Sequence, residues 1–253
     1  MTHKDLLNFA QEKVCLSLKE CSERRNKFKD RWKNFLPEDS YRFHIAERPT
    51  EESLNNRFGN FSGAKLGYEK LSATDLGRWG CWLSHYDIIS NCKSRGVKSV
   101  LILEDDTYPN LEIIDKQINE VPYDWDIIYL GHSSFDLLAK YEPEPLVTER
   151  TFLDESSKHR FGGWKKIRAW GTYGMIVRDT VFDKYINELK DYAFEKGHIT
   201  NVPTADGTYF FYLWKSLSFY FEDHLVLHDY SLMSEITKQQ ALRKDYIDKR
   251  SSV

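Results

Sequence analysis

Three acids in a row, Glu104-Asp105-Asp106, stand directly after the apolar run Val100-Leu101-Ile102-Leu103. Such a run suits a fully buried central strand. In open α/β sheets ligands bind at the carboxyl ends of strands, where these acids fall. An acid is costly to bury without a partner, so the cluster calls for a compensating charge. Glu104 and Asp106 are separated by one residue and share one side of an extended chain. Two hard oxygen donors on one side suit Mg²⁺ or Mn²⁺, ions that also favour phosphate oxygens. The chemistry to match is cleavage of a sugar–diphosphate bond, where a divalent cation stabilises the departing nucleoside diphosphate. The bland alternative is a set of acids that cap a turn or pair with Lys and Arg.

The elements around the acids alternate. Val14 to Leu18 reads as a first buried strand, and Ser22 opens a charged helix carrying Phe28, Trp32 and Phe35 at helical spacing. Tyr41 to Ile45 reads as a strand and residues 46–70 as a loop. Asp75 is expected to cap a helix over Leu76–Lys93 that ends at Gly96. A helix is expected near 111–119, a strand over Trp125–Leu130 ending at Gly131, and another over Thr172–Val177. Asp179 caps a helix carrying Phe182, Tyr185, Ile186 and Leu189, Asp206 begins another, and Ser218–Phe221 and Leu225–Leu227 close the series as strands. Residues 132–168 lack periodicity, as functional loops often do, and their Gly162-Gly163-Trp164 could fold over a bound donor. The alternation predicts an α/β fold with a mostly parallel sheet covered on both faces. It covers residues 1–240 as one domain, with a polar tail over 241–253.

Composition narrows the class. Hydrophobic residues make up 41% and charged residues 30%, with a formal net charge of -3, so a polyanion-binding surface is not indicated and nucleic acid is a poor partner. The four cysteines, Cys15, Cys21, Cys81 and Cys92, form no CxxC pair. No apolar run reaches the roughly 20 residues of a membrane span, and the charged N-terminus lacks a signal-peptide core. The expectation is a soluble, cytoplasmic protein, with peripheral membrane contact open to the basic residues of the tail. Asn60-Phe61-Ser62 fits a glycosylation acceptor, a pattern short enough to arise by chance.

Gly80-Cys81-Trp82-Leu83-Ser84-His85, followed some twenty residues on by Leu101-Ile102-Leu103-Glu104-Asp105-Asp106, resembles the hallmark of glycosyltransferase family 25. That family includes lipopolysaccharide sugar transferases and collagen hydroxylysine galactosyltransferases. Weaker matches follow in order: Val14–Leu18 with Ser22, Arg24 and Arg25; Trp125-Asp126-Ile127-Ile128-Tyr129-Leu130-Gly131; Ala169–Val177; Ala205-Asp206-Gly207; and Ser234-Glu235-Ile236. Departures are Gly77-Arg78-Trp79 in place of a usual Glu-Ile, Trp170-Gly171 within an Ala-Tyr match that Tyr173 could restore, and Gly207 in place of an acid.

The resemblance implies a GT-A, Rossmann-like fold and an inverting transfer of a hexose, galactose or glucose, from a UDP-sugar to a glycan or protein hydroxyl. Asp106 is then the first metal ligand for Mn²⁺ or Mg²⁺, with Glu104 or Asp105 assisting it or holding the donor ribose. His228 is the candidate third ligand, with His224 its competitor. Asp206 is the candidate base, its alternative role being a helix cap. Ser17, Arg25, Ser84, His85, Asp105, Gly131 and Tyr173 are candidates for the nucleotide-sugar site, with Arg24 beside them. For Arg24 and Arg25 solvated helix charges are the alternative, and for His85 a buried hydrogen bond between helix and strand. Two other readings share these residues: a metal-dependent nucleotidyltransferase, disfavoured by the lack of glycine in residues 14–26, and a non-catalytic glycan-binding relative.

Overall fold

The structure, a computed structural model, describes residues 1–58, 71–118, 120–121, 123–133, 164–166, 170–188, 194–195, 198–199, 218–221 and 224–229. The expected tail from 241, the sequon at 60–62, Gly162 and Gly163, and Asp206 all lie outside these residues.

Helix α1 (His3–Leu7) is followed by β1 (Glu12–Leu18), α2 (Ser22–Trp32), β2 (Arg42–Ala46), α3 (Glu51–Phe58), α4 (Ala73–Ser94), β3 (Ser99–Glu104), β4 (Thr107–Pro109) and β5 (Ile127–Ser133). Then come β6 (Trp164–Lys166), β7 (Trp170–Arg178), α5 (Phe182–Glu188), the short hairpin β8 (Phe194–Glu195) and β9 (His198–Ile199), β10 (Ser218–Phe221) and β11 (Val226–His228). Seven strands form one sheet in the order β2-β1-β3-β7-β5-β10-β6, and β4 pairs with β11 in a separate two-stranded sheet. β1 runs parallel to β2 and β3, and β10 parallel to β5, while β7 is antiparallel to both β3 and β5 and β6 is antiparallel to β10. Five strands thus share one direction, and the sheet is mixed but mostly parallel, with helices on its faces, as the alternating sequence pattern predicts.

Strand periodicity sorts the core into two layers. Val100 and Ile102 of β3, with Val14, Ile127, Tyr129, Met175 and Val177, pack on one face against Trp79, Trp82, Ile88 and Ile89 of α4 and Phe182 and Tyr185 of α5. Leu101 and Leu103, with Cys15, Ile128, Leu130 and Ile176, pack on the other against Leu6 and Leu7 of α1 and Phe28 and Trp32 of α2. A strand buried on both faces has no polar side, which is why residues 100–103 read as an unbroken apolar run.

Four expectations change. Helix α4 starts at Ala73, capped by Ser72: the Asp75 amide donates to Ser72 Oγ (3.1 Å) and the Ser72 amide to Asp75 Oδ2 (3.2 Å), so Asp75 is the reciprocal member of a capping box rather than the cap. Within the expected loop 46–70, α3 is held by a similar exchange, with the Ser53 amide donating to Thr50 Oγ1 and the Thr50 amide to Ser53 Oγ. Residues 111–115 are turns and Gln117 bridges to Thr2, so no helix forms over 111–118. Asn110 takes the amides of Ile113 and Ile114 on its carbonyl and that of Glu112 on its side chain, and the three isoleucines 113, 114 and 118 insert beside α1 instead of forming a helical stripe. Asp179 caps no helix with its side chain; it pairs with Lys98 Nζ at 2.9 Å.

Trp32 ties this frame to the acidic turn. Its fully buried indole donates to the Thr107 carbonyl at 3.2 Å, joining the end of α2 to the start of β4. Trp32→Ala is expected to cost about 3–5 kcal/mol, because it opens a cavity and strands a buried carbonyl. Urea denaturation of the two proteins measures that loss.

Candidate active site

Parallel pairing of β1 with β3 sets Leu16 opposite Glu104, so Ser17 at the end of β1 lies next to the turn that carries Asp105 and Asp106. The Asp105 amide donates to the Leu16 carbonyl at 3.1 Å, fixing that turn. Its side chain, almost fully buried, accepts from Ser17 Oγ at 2.6 Å. Arg24, in the first turns of α2, reaches both acids, with Nη1 3.3 Å from Asp105 Oδ1 and 3.2 Å from Asp106 Oδ2. Burial pushes the Asp105 carboxyl up to about 6; the Ser17 hydrogen bond and Arg24 pull against this while the neighbouring Asp106 charge adds to it.

β11 completes the cluster. Its pairing with β4 places His228 opposite Thr107, and the Asp229 amide donates to the Asp106 carbonyl at 2.8 Å. His228 Nε2 then stands 3.3 Å from Asp106 Oδ1. Burial works against the charged imidazole, but the hydrogen bond and charge of Asp106, with the charge of Glu104, outweigh it and raise the His228 pKa. The Tyr173 ring meets the imidazole edge-on, centroids 5.3 Å apart. Arg31 clamps the far side, forming an ion pair with Asp229 while its guanidinium lies 5.5 Å from the Tyr108 ring centre.

A cleft of about 580 Å³, part of it open to solvent, adjoins the acids. Leu16, Ser17, Leu18 and Arg24 line one side, Ala46, Arg48 and Pro49 another, and Gly77, Gly80, Cys81 and Ser84 of α4 a third, with Glu104 and Asp105 at its end. The α4 face is smooth because its residues are small. Ser84 donates to the Gly80 carbonyl at 2.7 Å, one turn back, which holds its hydroxyl along the helix.

The structure brings Glu104, Asp106 and His228 together; one ligand atom from each lies within 4.8 Å of the others. His224 belongs to neither of the metal-capable groups found among the described residues. Its carbonyl accepts from the Asn110 side chain at 3.0 Å. Arg25 is turned to the backbone, donating to Ser17 Oγ (3.0 Å) and to the carbonyls of Leu18 and Lys19, so it braces the end of β1. His85 is fully buried and held neutral, its pKa pushed down to about 3 by burial and then by the charge of His44. Gly131 lies beneath β11, where an added Cβ would stand 2.1 Å from the Val226 carbonyl oxygen. Arg24 pairs with both acids, the alternative that the sequence left open for them, while the Arg31–Asp229 clamp is the feature sequence reasoning missed. A charge on a helix gives no sign of which side it faces.

Two carboxylates and an imidazole make a hard oxygen–nitrogen donor set that fits Mn²⁺ or Mg²⁺. The buried Asp106 Oδ1, 3.3 Å from His228 Nε2, sets a carboxylate oxygen and an imidazole nitrogen close enough to share one ion, which agrees with that fit.

An α/β sheet with acids and a cleft at the carboxyl ends of its first parallel strands is the build of a ligand-binding α/β domain. The family model of glycosyltransferase family 25 (LPS biosynthesis protein) matches residues 10–197, and the chain belongs to that family. It is 28% identical over 163 residues to procollagen galactosyltransferase 1-B of Xenopus laevis, covering 60% of this chain and 26% of that protein. Against procollagen galactosyltransferase 1 of Danio rerio the identity is 36% over 86 residues, covering 32% of this chain and 14% of that protein. The chain therefore spans about a quarter or less of the length of these relatives. Among solved structures, a glycosyltransferase involved in glycosylation of the major capsid of PBCV-1 aligns with a TM-score of 0.43 and 12% identity, covering 90% of this chain and 96% of that one. Among the described residues no helix is long and apolar enough to cross a membrane.

Proposed function

We propose that residues 1–240 act as one catalytic domain that moves a hexose from a UDP-sugar to a hydroxyl of a glycan or a hydroxylated protein side chain, with inversion at the anomeric carbon. The observation that carries this reading is the meeting of the Glu104–Asp106–His228 cluster with the end of the cleft. Galactose is the first donor sugar to test, since the relatives are named galactosyltransferases.

In this reading Glu104, Asp106 and His228 hold Mn²⁺ or Mg²⁺, which when bound neutralises charge on the departing diphosphate. The cleft takes the nucleoside. Its wall of Gly77, Gly80 and Cys81 leaves room for a flat ring, and Ser17 and Asp105 present polar atoms to a ribose. Arg24 supplies positive charge beside the diphosphate. Tyr173 and Gly131 act through β11, one by packing on His228 and the other by leaving space for Val226. Buried beneath this wall, His85 supports it from within. Asp206 is the proposed base: it takes the proton of the acceptor hydroxyl as that oxygen bonds to the anomeric carbon and the sugar–phosphate bond breaks, releasing UDP. Release of UDP from UDP-galactose in the presence of an acceptor panel, with Mn²⁺ and with EDTA, tests the proposal. Metal-dependent release supports it; equal release with the chelator contradicts the metal's part.

A pH dependence follows from His228. An imidazole must be neutral to bind a metal, and Asp106 raises the pKa of the imidazolium, so protons compete with the metal below that pKa. Mn²⁺ affinity is expected to fall as pH drops, by about tenfold per pH unit for each proton displaced. Mn²⁺ titrations at several pH values should show a flatter profile for His228→Gln.

A further inference from the structure

A second group of donors borders the same acids. Cys81 and His85 stand one turn apart on α4, so their side chains share a face of the helix. Glu104 reaches that face from the end of β3, and one ligand atom from each of the three lies within 4.8 Å of the others. We propose that Cys81, His85 and Glu104 form a site for a borderline-soft divalent cation of the Zn²⁺ class, and that its occupation withdraws Glu104 from the Asp106–His228 site.

The donor chemistry separates the two sites. Sulfur, nitrogen and one carboxylate oxygen favour Zn²⁺ or Co²⁺, whereas two carboxylates and an imidazole favour Mn²⁺ and Mg²⁺. Tetrahedral donors around Zn²⁺ lie roughly 3.5 Å apart, given bonds of about 2.0–2.3 Å, and the donors of this group lie within 4.8 Å of one another. His85 is fully buried, one turn along α4 from Cys81, so a metal held between them lies inside the cleft wall. Cys81 and Glu104 both line the cleft, so an ion between them has a route of entry and an open fourth position. Glu104 belongs to both triads. A Zn²⁺ ion on the α4 side therefore draws a ligand from the site assigned to Mn²⁺, and zinc acts as an inhibitor of metal-dependent donor binding.

Co²⁺ reports the thiolate directly, because a cysteine ligand gives a thiolate-to-cobalt charge-transfer band in the near ultraviolet. The wild type should show this band, and Cys81→Ser should lose it, with Co²⁺ bound about tenfold or more weakly. Cys21 also lines the cleft, and Cys21→Ser should keep the band. Asp106→Ala should also keep it, so this arm stands even if the proposed donor reading fails. In the wild type, Zn²⁺ should protect Cys81 from iodoacetamide, as read by peptide mass mapping, a measurement that needs no variant to fold. The competition rests on the proposed function: Zn²⁺ should weaken Mn²⁺-dependent UDP binding in the wild type and have far less effect in Cys81→Ser. No cobalt band in the wild type, a band that survives Cys81→Ser, or alkylation of Cys81 indifferent to Zn²⁺ overturns the site. Mn²⁺-dependent UDP binding indifferent to Zn²⁺ overturns the competition.

Discussion

Asp106→Asn is expected to lower hexose transfer by about 10³-fold, the scale on which a preorganised charge at a departing group acts. Asp106 is where three elements meet. Its side chain pairs with Arg24 of α2 and faces His228 of β11, and its carbonyl holds the Asp229 amide. Asparagine keeps the shape and the backbone contact but removes the anionic oxygen that a hard cation requires. Arg24 retains Asp105 as a partner, so the fold should survive. Steady-state rates over a range of Mn²⁺ concentrations check this. Activity that falls only a few-fold, or returns fully at high Mn²⁺, would mean that Asp106 positions its neighbours without holding the ion.

Gly131→Ala is expected to cost both stability and metal affinity. An added Cβ would lie 2.1 Å from the Val226 carbonyl oxygen and 2.7 Å from the Tyr173 ring. The first obstacle is backbone and cannot rotate aside. β11 must move, carrying His228, two residues further on, away from the acids. Overpacking of this kind costs about 1–3 kcal/mol, and the rigidity of the obstacle puts this variant at the upper end. Gly174→Ala offers a contrast, because its Cβ would meet the Val226 side chain at 2.8–3.0 Å. Val226→Gly, which removes the Cβ as well as both methyls, should relieve Gly174→Ala and leave Gly131→Ala unrelieved. Chemical denaturation and Mn²⁺ titration of the four variants separate these outcomes.

These two residues differ in how visible they are in the sequence. The acids stand out because three charges interrupt a run that must be buried, and the motif Gly80–His85 places a helix beside them. The strand that carries the acids is equally plain, since Val100–Leu103 of β3 is an unbroken apolar run, and Val14-Cys15-Leu16 marks the neighbouring β1. The reversal of β7 was not legible: a strand's direction depends on its connections, and an apolar run reads alike both ways. Nor does spacing separate His228 from His224. Pairing of β11 with β4 does, by setting His228 opposite Thr107 next to Asp106. The missed start of α4 was readable, since Ser72 stands three residues before Asp75 in the order a capping box requires. The helix expected at 111–119 failed because its isoleucines bury themselves from turns, where the contacts come from α1 and not from a helical face.

The most direct test is calorimetric titration of UDP into the wild type and Asp106→Ala, each with and without Mn²⁺. Binding that requires Mn²⁺ in the wild type and disappears in Asp106→Ala is the predicted result. Equal UDP binding by both proteins, or binding indifferent to Mn²⁺, would contradict a diphosphate–metal site built on Asp106.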